Sequence, residues 1–127
     1  MKHPAKSIRT FIGAKDYAES IRFYEVLGFK VQSVGEKMAV VTVRENIAFY
    51  LQDYYLKSWC ENSMVFLEID NDLESYWEAI KVLGLPDKFP GTKLSTIQRN
   101  DWGNEFFLHD PAGNLWHFGI FKENINE

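Results

Sequence analysis

The stretch Ser63-Met64-Val65-Phe66-Leu67-Glu68-Ile69-Asp70, followed by Asp72-Leu73-Glu74-Ser75 and closed by Val82-Leu83-Gly84, reads as a strand, a helix start and a helix stop. Between them Tyr76, Ile80 and Leu83 fall on one helical face. The same order of features occurs earlier in the chain. Ser7-Ile8-Arg9-Thr10-Phe11-Ile12-Gly13 has strand character, Asp16 opens a segment with Tyr17, Ile21, Tyr24 and Leu27 at helical spacing, and Gly28 ends it. A shift of 56 residues, the separation of Asp16 and Asp72, superimposes Ser7 on Ser63 and Val26-Leu27-Gly28 on Val82-Leu83-Gly84. The chain is an internal duplication.

Working outward, Asp16 with Glu19 three residues on fits an N-cap, and Gly28 suits a left-handed helix terminus, so the first helix is expected over about 16–27. Phe29 to Val34, Lys37 to Val43 and Ile47 to Gln52 are rich in strand formers and separated by Gly35-Glu36 and Arg44-Glu45-Asn46. After the second helix a loop is expected around Pro86 to Pro90, then strands at about 93–99, 104–109 and 115–121. Each half therefore reads β-α-β-β-β, with module 1 at about 7–52, module 2 at about 63–121 and the connector Asp53 to Asn62 between them. One α+β domain spanning 1–127 follows. Neither module is large enough to bury its sheet alone, so two must pair, within a chain or between chains, and leave a cleft.

Composition narrows the function classes. The 127 residues are 46% hydrophobic and 16% aromatic, enough for a real core. The apolar runs, such as Met38 to Val41, are far short of a membrane span, and the N-terminus lacks the apolar segment of a secretory signal. A cytoplasmic protein is expected. One cysteine, Cys60, excludes an intrachain disulfide and a multi-thiolate zinc site. The net charge of −4, with Lys and Arg dispersed, argues against a nucleic-acid partner and mildly favours a cationic small molecule. No Gly-x-Ser-x-Gly turn occurs, and Cys60 sits in the connector without an activating signature.

The duplicated β-α-β-β-β pattern, with Asp-started helices ending at Leu-Gly, resembles the vicinal-oxygen-chelate superfamily of glyoxalases, dioxygenases and bleomycin-resistance proteins. The segments Leu83-Gly84-Leu85-Pro86, Trp102-Gly103-Asn104-Glu105-Phe106 and Asp110-Pro111-Ala112-Gly113-Asn114-Leu115-Trp116-His117-Phe118 are similar to the bleomycin-resistance branch. On its own chemistry, Asp110 to Asn114 reads as a hairpin turn: Asp110 accepts from backbone amides, Pro111 presets φ, and Gly113 and Asn114 tolerate positive φ. The resemblance implies a homodimer whose modules pair across subunits, with two equivalent grooves.

Metal-dependent members of the superfamily hold a divalent ion with His, Glu or Gln from the first and last strand of each module. The matching positions here are Arg9, Met64 or Val65, Phe49 and His117, the ambiguity arising from the extra residue in Asp70-Asn71-Asp72. Arg9 is a permanent cation, Met64, Val65 and Phe49 do not suit a hard or borderline ion, and one imidazole does not make a site. No metal and no cofactor are therefore expected, and a binding protein is favoured over an enzyme. Arg9 suggests a partner carboxylate, either on a ligand or on Glu68 or Glu105.

Trp59 and Trp102 lie in polar, loop-like segments where strand periodicity does not require a large ring, and both suit stacking on a flat ligand. With Phe49, His117, Arg9 and Met64 they make up the expected ligand-binding set. The expected function is sequestration of an aromatic, cationic antibiotic of the bleomycin type in a dimer groove. The alternatives are a glyoxalase- or dioxygenase-type enzyme recruiting metal through His117, Glu68 and Glu105, and a module binding a metabolite unrelated to resistance.

Overall fold

The computed structural model describes residues 1–70 and 72–122; Asn71, the extra residue of the second module, lies outside the described residues. Module 1 comprises β1 (Phe11–Gly13), α1 (Tyr17–Val26), β2 (Lys30–Ser33), β3 (Met38–Arg44) and β4 (Ile47–Gln52). A short α2 (Lys57–Cys60) occupies the connector. Module 2 comprises β5 (Met64–Glu68), α3 (Leu73–Lys81), a short α4 (Leu85–Lys88), β6 (Lys93–Leu94), β7 (Gln98–Arg99), β8 (Gly103–His109) and β9 (Leu115–Phe121). The sheets repeat one topology, β1-β4-β3-β2 and β5-β9-β8-β6, with β7 also on β8. In each the first strand runs parallel to the last, Phe11 opposite Tyr50 and Phe66 opposite His117. Among the described residues no helix is long and apolar enough to cross a membrane.

The helix signals act as their chemistry dictates. Asp16 and Asp72 accept from the backbone amides of Glu19 and Ser75. Gly28, at φ 100°, ends α1 in a Schellman arrangement, its N–H donating to Glu25 O while that of Phe29 donates to Tyr24 O.

Three boundaries depart from the sequence reading. The first strand, expected over Ser7 to Gly13, pairs only from Thr10 onward. With Phe11 opposite Tyr50 and β4 beginning at Ile47, residues before Ile8 have no strand beside them. The strand expected at 93–99 is split into β6 and β7. Ser95 causes the break: its hydroxyl accepts the amide of Phe107, and its carbonyl accepts from Trp77 Nε1, so the chain leaves regular pairing there. The helices α2 and α4 replace expected loop, because four residues are too few to display a helical period.

Alternation along the strands gives each sheet a buried face and an open face. The buried faces of both modules meet in one core: Phe23, Tyr24, Phe49 and Leu51 pack with Phe106, Leu108, Trp116 and Phe118. Trp116 crosses the boundary, with ring centroids 6.0 Å from Tyr24 and 5.1 Å from Phe49.

A buried polar network fastens the same boundary, and here the Asp110 to Asn114 segment does more than turn the chain. Asp110 Oδ1 accepts from the amides of Ala112 and Asn114, which forms the turn. Its Oδ2 accepts from Tyr24 Oη at 2.6 Å and from Asn114 Nδ2 at 2.8 Å. Asn114 Nδ2 also donates to Gly13 O, and Trp116 Nε1 donates to Tyr24 Oη. Asp110, Asn114 and Tyr24 are fully buried, so module 2's turn is bonded to α1 and β1 of module 1 out of water.

Candidate functional site

The open face of the second sheet gathers aromatic side chains around one buried carboxylate. Along β9 the alternation places His117, Gly119 and Phe121 opposite the core-facing Trp116 and Phe118. Phe66 on β5 lies 6.2 Å from the imidazole of His117 in a stacked arrangement and 5.5 Å from Phe121. Trp102, just before β8, packs against Phe66 at 5.9 Å and Phe121 at 5.6 Å. Phe107 meets His117 edge-on at 5.0 Å. Despite these contacts Phe66 is 40% and Trp102 36% exposed.

Glu105 on β8 brings charge into the cluster. Its Oε1 lies 2.8 Å from His117 Nδ1, and its Oε2 accepts from Asn100 Nδ2 at 3.4 Å. A carboxylate can only accept, so the Nδ1–H of His117 donates to it. His117 Nε2 is then left buried, with no hydrogen-bond partner among the described residues. An unpaired ring nitrogen held among phenyl rings is a costly arrangement unless a ligand group completes it.

Gly119 makes this face possible. A methyl group there would come within 2.7 Å of Phe66 Cζ and 3.1 Å of Asn104 O. Gly119→Ala is expected to push the Phe66 ring off the platform and cost about 1–3 kcal/mol by overpacking. Ring-proton shifts of Phe66 alongside a urea unfolding curve check both.

The sequence-expected residues fall in four places. His117 and Trp102 join the platform just described. Met64, 64% exposed, sits on the same face at the start of β5. Arg9 lies on the open side of the first sheet, where its guanidinium stands 5.5 Å from the Tyr50 ring and Nη1 donates to Tyr50 Oη at 3.4 Å. It meets a phenol, not the Glu68 or Glu105 carboxylate that the sequence suggested.

Trp59, on α2, packs against the end of β1, where a methyl on Gly13 would meet its Cζ3 at 2.5 Å, and lies 5.9 Å from Tyr54. It shares no ring neighbour with Trp102.

Phe49 is corrected. It is 3% exposed and points into the core against Tyr24 and Trp116. The residue that stands to Phe11 as His117 stands to Phe66 is Tyr50. Strand faces alternate residue by residue, so a one-position error in matching the modules moved the assignment to the wrong face. The same alternation resolves the other ambiguity: Met64 is on the open side, while Val65 packs against the core.

Sequence reasoning missed Phe66, Phe107 and Phe121 as platform members. The period-two pattern of β9 signalled Phe121, whereas Phe66 looked like ordinary core. Among the described residues no three His, Cys, Asp or Glu side chains converge as metal ligands, so His117, Glu105 and Glu68 do not form the set that the enzyme alternative requires.

No family profile and no curated protein sequence matches the chain. Solved structures do. A bleomycin-binding protein from bleomycin-producing Streptomyces verticillus, complexed with copper(II)-bleomycin, aligns over 95% of this chain and 100% of its own, at 21% identity and a TM-score of 0.77. A bleomycin resistance determinant encoded on the transposon Tn5 aligns over 92% and 99%, at 18% identity and 0.76. An antibiotic-binding protein from a Streptomyces strain aligns over 95% and 100%, at 16% identity and 0.72. Two β-α-β-β-β modules with parallel first and last strands, matched over almost their full length, give this chain the glyoxalase/bleomycin-resistance fold.

Proposed function

We propose that this protein reversibly binds a flat, cationic aromatic small molecule on the open face of the second sheet, without a metal, as a homodimer. The observation that carries this reading is the exposed ring platform of Phe66, Trp102 and Phe121 beside the Glu105–His117 pair. Rings supply stacking surface, and the carboxylate favours positive charge. The net charge of −4 adds a weak long-range attraction for cations.

Both sheets leave a face uncovered, with Phe11 45% exposed on the first and Phe66 on the second. Twofold pairing that sets the first sheet of one copy over the second sheet of the other would cover both and create two equal grooves. Arg9, Phe11 and Tyr50 would then form the opposite wall from Trp102 and His117. Of the cleft-facing strand positions Arg9, Tyr50, Met64 and His117, only His117 belongs to the His, Glu and Gln set that binds metal in the superfamily.

Solved proteins with this fold bear the names bleomycin-binding and antibiotic-binding. Sequestration of a bleomycin-type antibiotic is the specific form of the proposal. Titration with metal-free bleomycin, followed by tryptophan fluorescence and paired with sedimentation analysis, tests it. Saturable quenching at one ligand per subunit of a dimer is the expected result. Absence of quenching in a monomeric protein overturns both parts, and absence of quenching in a dimer redirects the groove to another metabolite.

A further inference from the structure

The open face of the second sheet continues past the aromatic platform toward the edge strand β6. Cross-strand partners point to one side of a sheet, and the registers set Lys93 opposite His109, His109 opposite Leu115 and Leu115 opposite Met64. Phe107 precedes His109 by two residues on β8 and so faces the same way. A cavity of about 330 Å³ lies at this edge, lined by Lys93, Leu94, Ser95, Phe107, His109 and Leu115. Its size falls at the lower end of small-molecule clefts.

The chemistry of this edge differs from that of the platform. Phe107, Leu115 and Leu94 make the walls apolar, and no carboxylate among the described residues lines them. The Ser95 hydroxyl is occupied, accepting the amide of Phe107 and donating to Thr96 O. Polar capacity is left on Lys93 and His109, neither of which makes an ion pair or a side-chain hydrogen bond among the described residues. Burial, and after it the Lys93 ammonium, hold the His109 imidazole below its ordinary value, against the opposing pull of Asp110. The carboxylates nearby are engaged or turned away. Asp110 is fully buried and accepts from Tyr24 and Asn114. Glu61 meets Lys93 and His109 only across a separate cavity, on the Gly91 and Gly113 side. Glu105 stands four residues back along β8, about 13 Å away, and is bonded to His117. The net charge of −4 acts weakly here, because salt screens exposed charges beyond about 8 Å.

The geometry points to a second binding site in this edge pocket, for a flat apolar ring that carries one carboxylate: the ring packs on Phe107 and Leu115, and the carboxylate meets the Lys93 ammonium and a ring N–H of His109. The ring gains by leaving water, and charge-assisted bonds favour the anion over a neutral or cationic compound of the same shape. A carboxylate beside His109 also stabilises its protonated form, so the imidazole value rises on binding and affinity grows as pH falls through that range. The pocket adjoins the platform through Phe107 but carries charge of the opposite sign, so the two call for different ligands and stand or fall separately.

The test uses 2-naphthoate, 2-naphthylmethanol and 2-naphthylmethylamine as probes, with amide and imidazole chemical shifts of the isotopically labelled protein as the readout. The naphthoate is expected to move the signals of Lys93, His109 and Leu115, to bind about fivefold more tightly than the alcohol, and to raise the midpoint of the His109 titration. The amine should leave these signals in place. Lys93→Met should bring naphthoate and alcohol to equal affinity, and because that side chain is exposed and without an ion pair among the described residues, the circular dichroism should not change. Leu115→Trp fills the pocket from β9 and should abolish the shifts from every probe. The inference is overturned if naphthoate moves only Phe66, Trp102 and Phe121, if the amine binds at the edge as tightly as naphthoate, if the His109 midpoint does not rise, if Lys93→Met leaves the preference intact, or if no probe binds.

Discussion

Asp110→Ala is expected to lower the unfolding free energy by about 3–5 kcal/mol, a large share of the total stability of a domain this size. The reason is the number of donors left behind. Tyr24 Oη, Asn114 Nδ2 and the amides of Ala112 and Asn114 all donate to this one buried carboxyl. Removing it strands several of them out of water, at a cost of about 1–3 kcal/mol for each left unsatisfied, less what relaxation recovers. Tyr24→Phe is milder, at about 1–3 kcal/mol, since it removes one donor to Asp110 and the acceptor of Trp116 Nε1. Urea unfolding curves measure both, and a loss under about 1 kcal/mol for Asp110→Ala would show that the network does not hold the modules together.

The same residue sets a pH dependence with a defined sign. Burial raises the Asp110 carboxyl above its ordinary value, and the hydrogen bonds from Tyr24 and Asn114 only partly oppose this. Because the folded value lies above the unfolded one, the folded state binds the proton more tightly. The stabilising contribution is full below the ordinary carboxyl range and is lost as pH rises through the raised value. Asp110→Asn has no such titration. The stability advantage of the wild type over that variant should therefore be largest at the acid end and shrink toward neutrality.

The second large effect is on binding. Trp102→Ala is expected to weaken metal-free bleomycin by about 10–100-fold, because a partly exposed indole braced by Phe66 and Phe121 is the type of ring on which binding energy concentrates. Phe49→Leu supplies the contrast. That side chain is buried against Tyr24 and Trp116, so its loss should cost about 1 kcal/mol of stability while leaving affinity unchanged. Tryptophan fluorescence titrations of the two variants decide the matter: equal losses of affinity, or a loss only with Phe49→Leu, would remove the platform from the ligand site.

Much of the architecture was legible before any coordinates. The repeat, the capping aspartates and the terminal glycines are local chemistry, and local chemistry is written in neighbouring residues. Short or composite features were not legible. Four-residue helices carry no period, and the break at Ser95 depends on Phe107 and Trp77, which are distant in sequence.

The candidate site divides the same way. His117 was identified because the alternation of β9 places it with Gly119, and Trp102 because a ring in a polar segment stands out. Phe49 was misplaced because the first and last strands of a module pair in parallel across a long connection, and no short-range pattern sets that register. Tyr50 takes its place once Phe11 is seen beside it.

By itself, then, the sequence determined two β-α-β-β-β modules and their helix ends. Only the tertiary structure decided which side of each strand faces the core, that the Asp110 turn bonds across to Tyr24 and Gly13, and that His117 meets Glu105. The physical reason is one of range. Propensity, capping and turn chemistry act over a few residues, whereas the bonds from His117 to Glu105 and from Asn114 to Gly13 join groups 12 and 101 positions apart, which only the folded chain brings into contact.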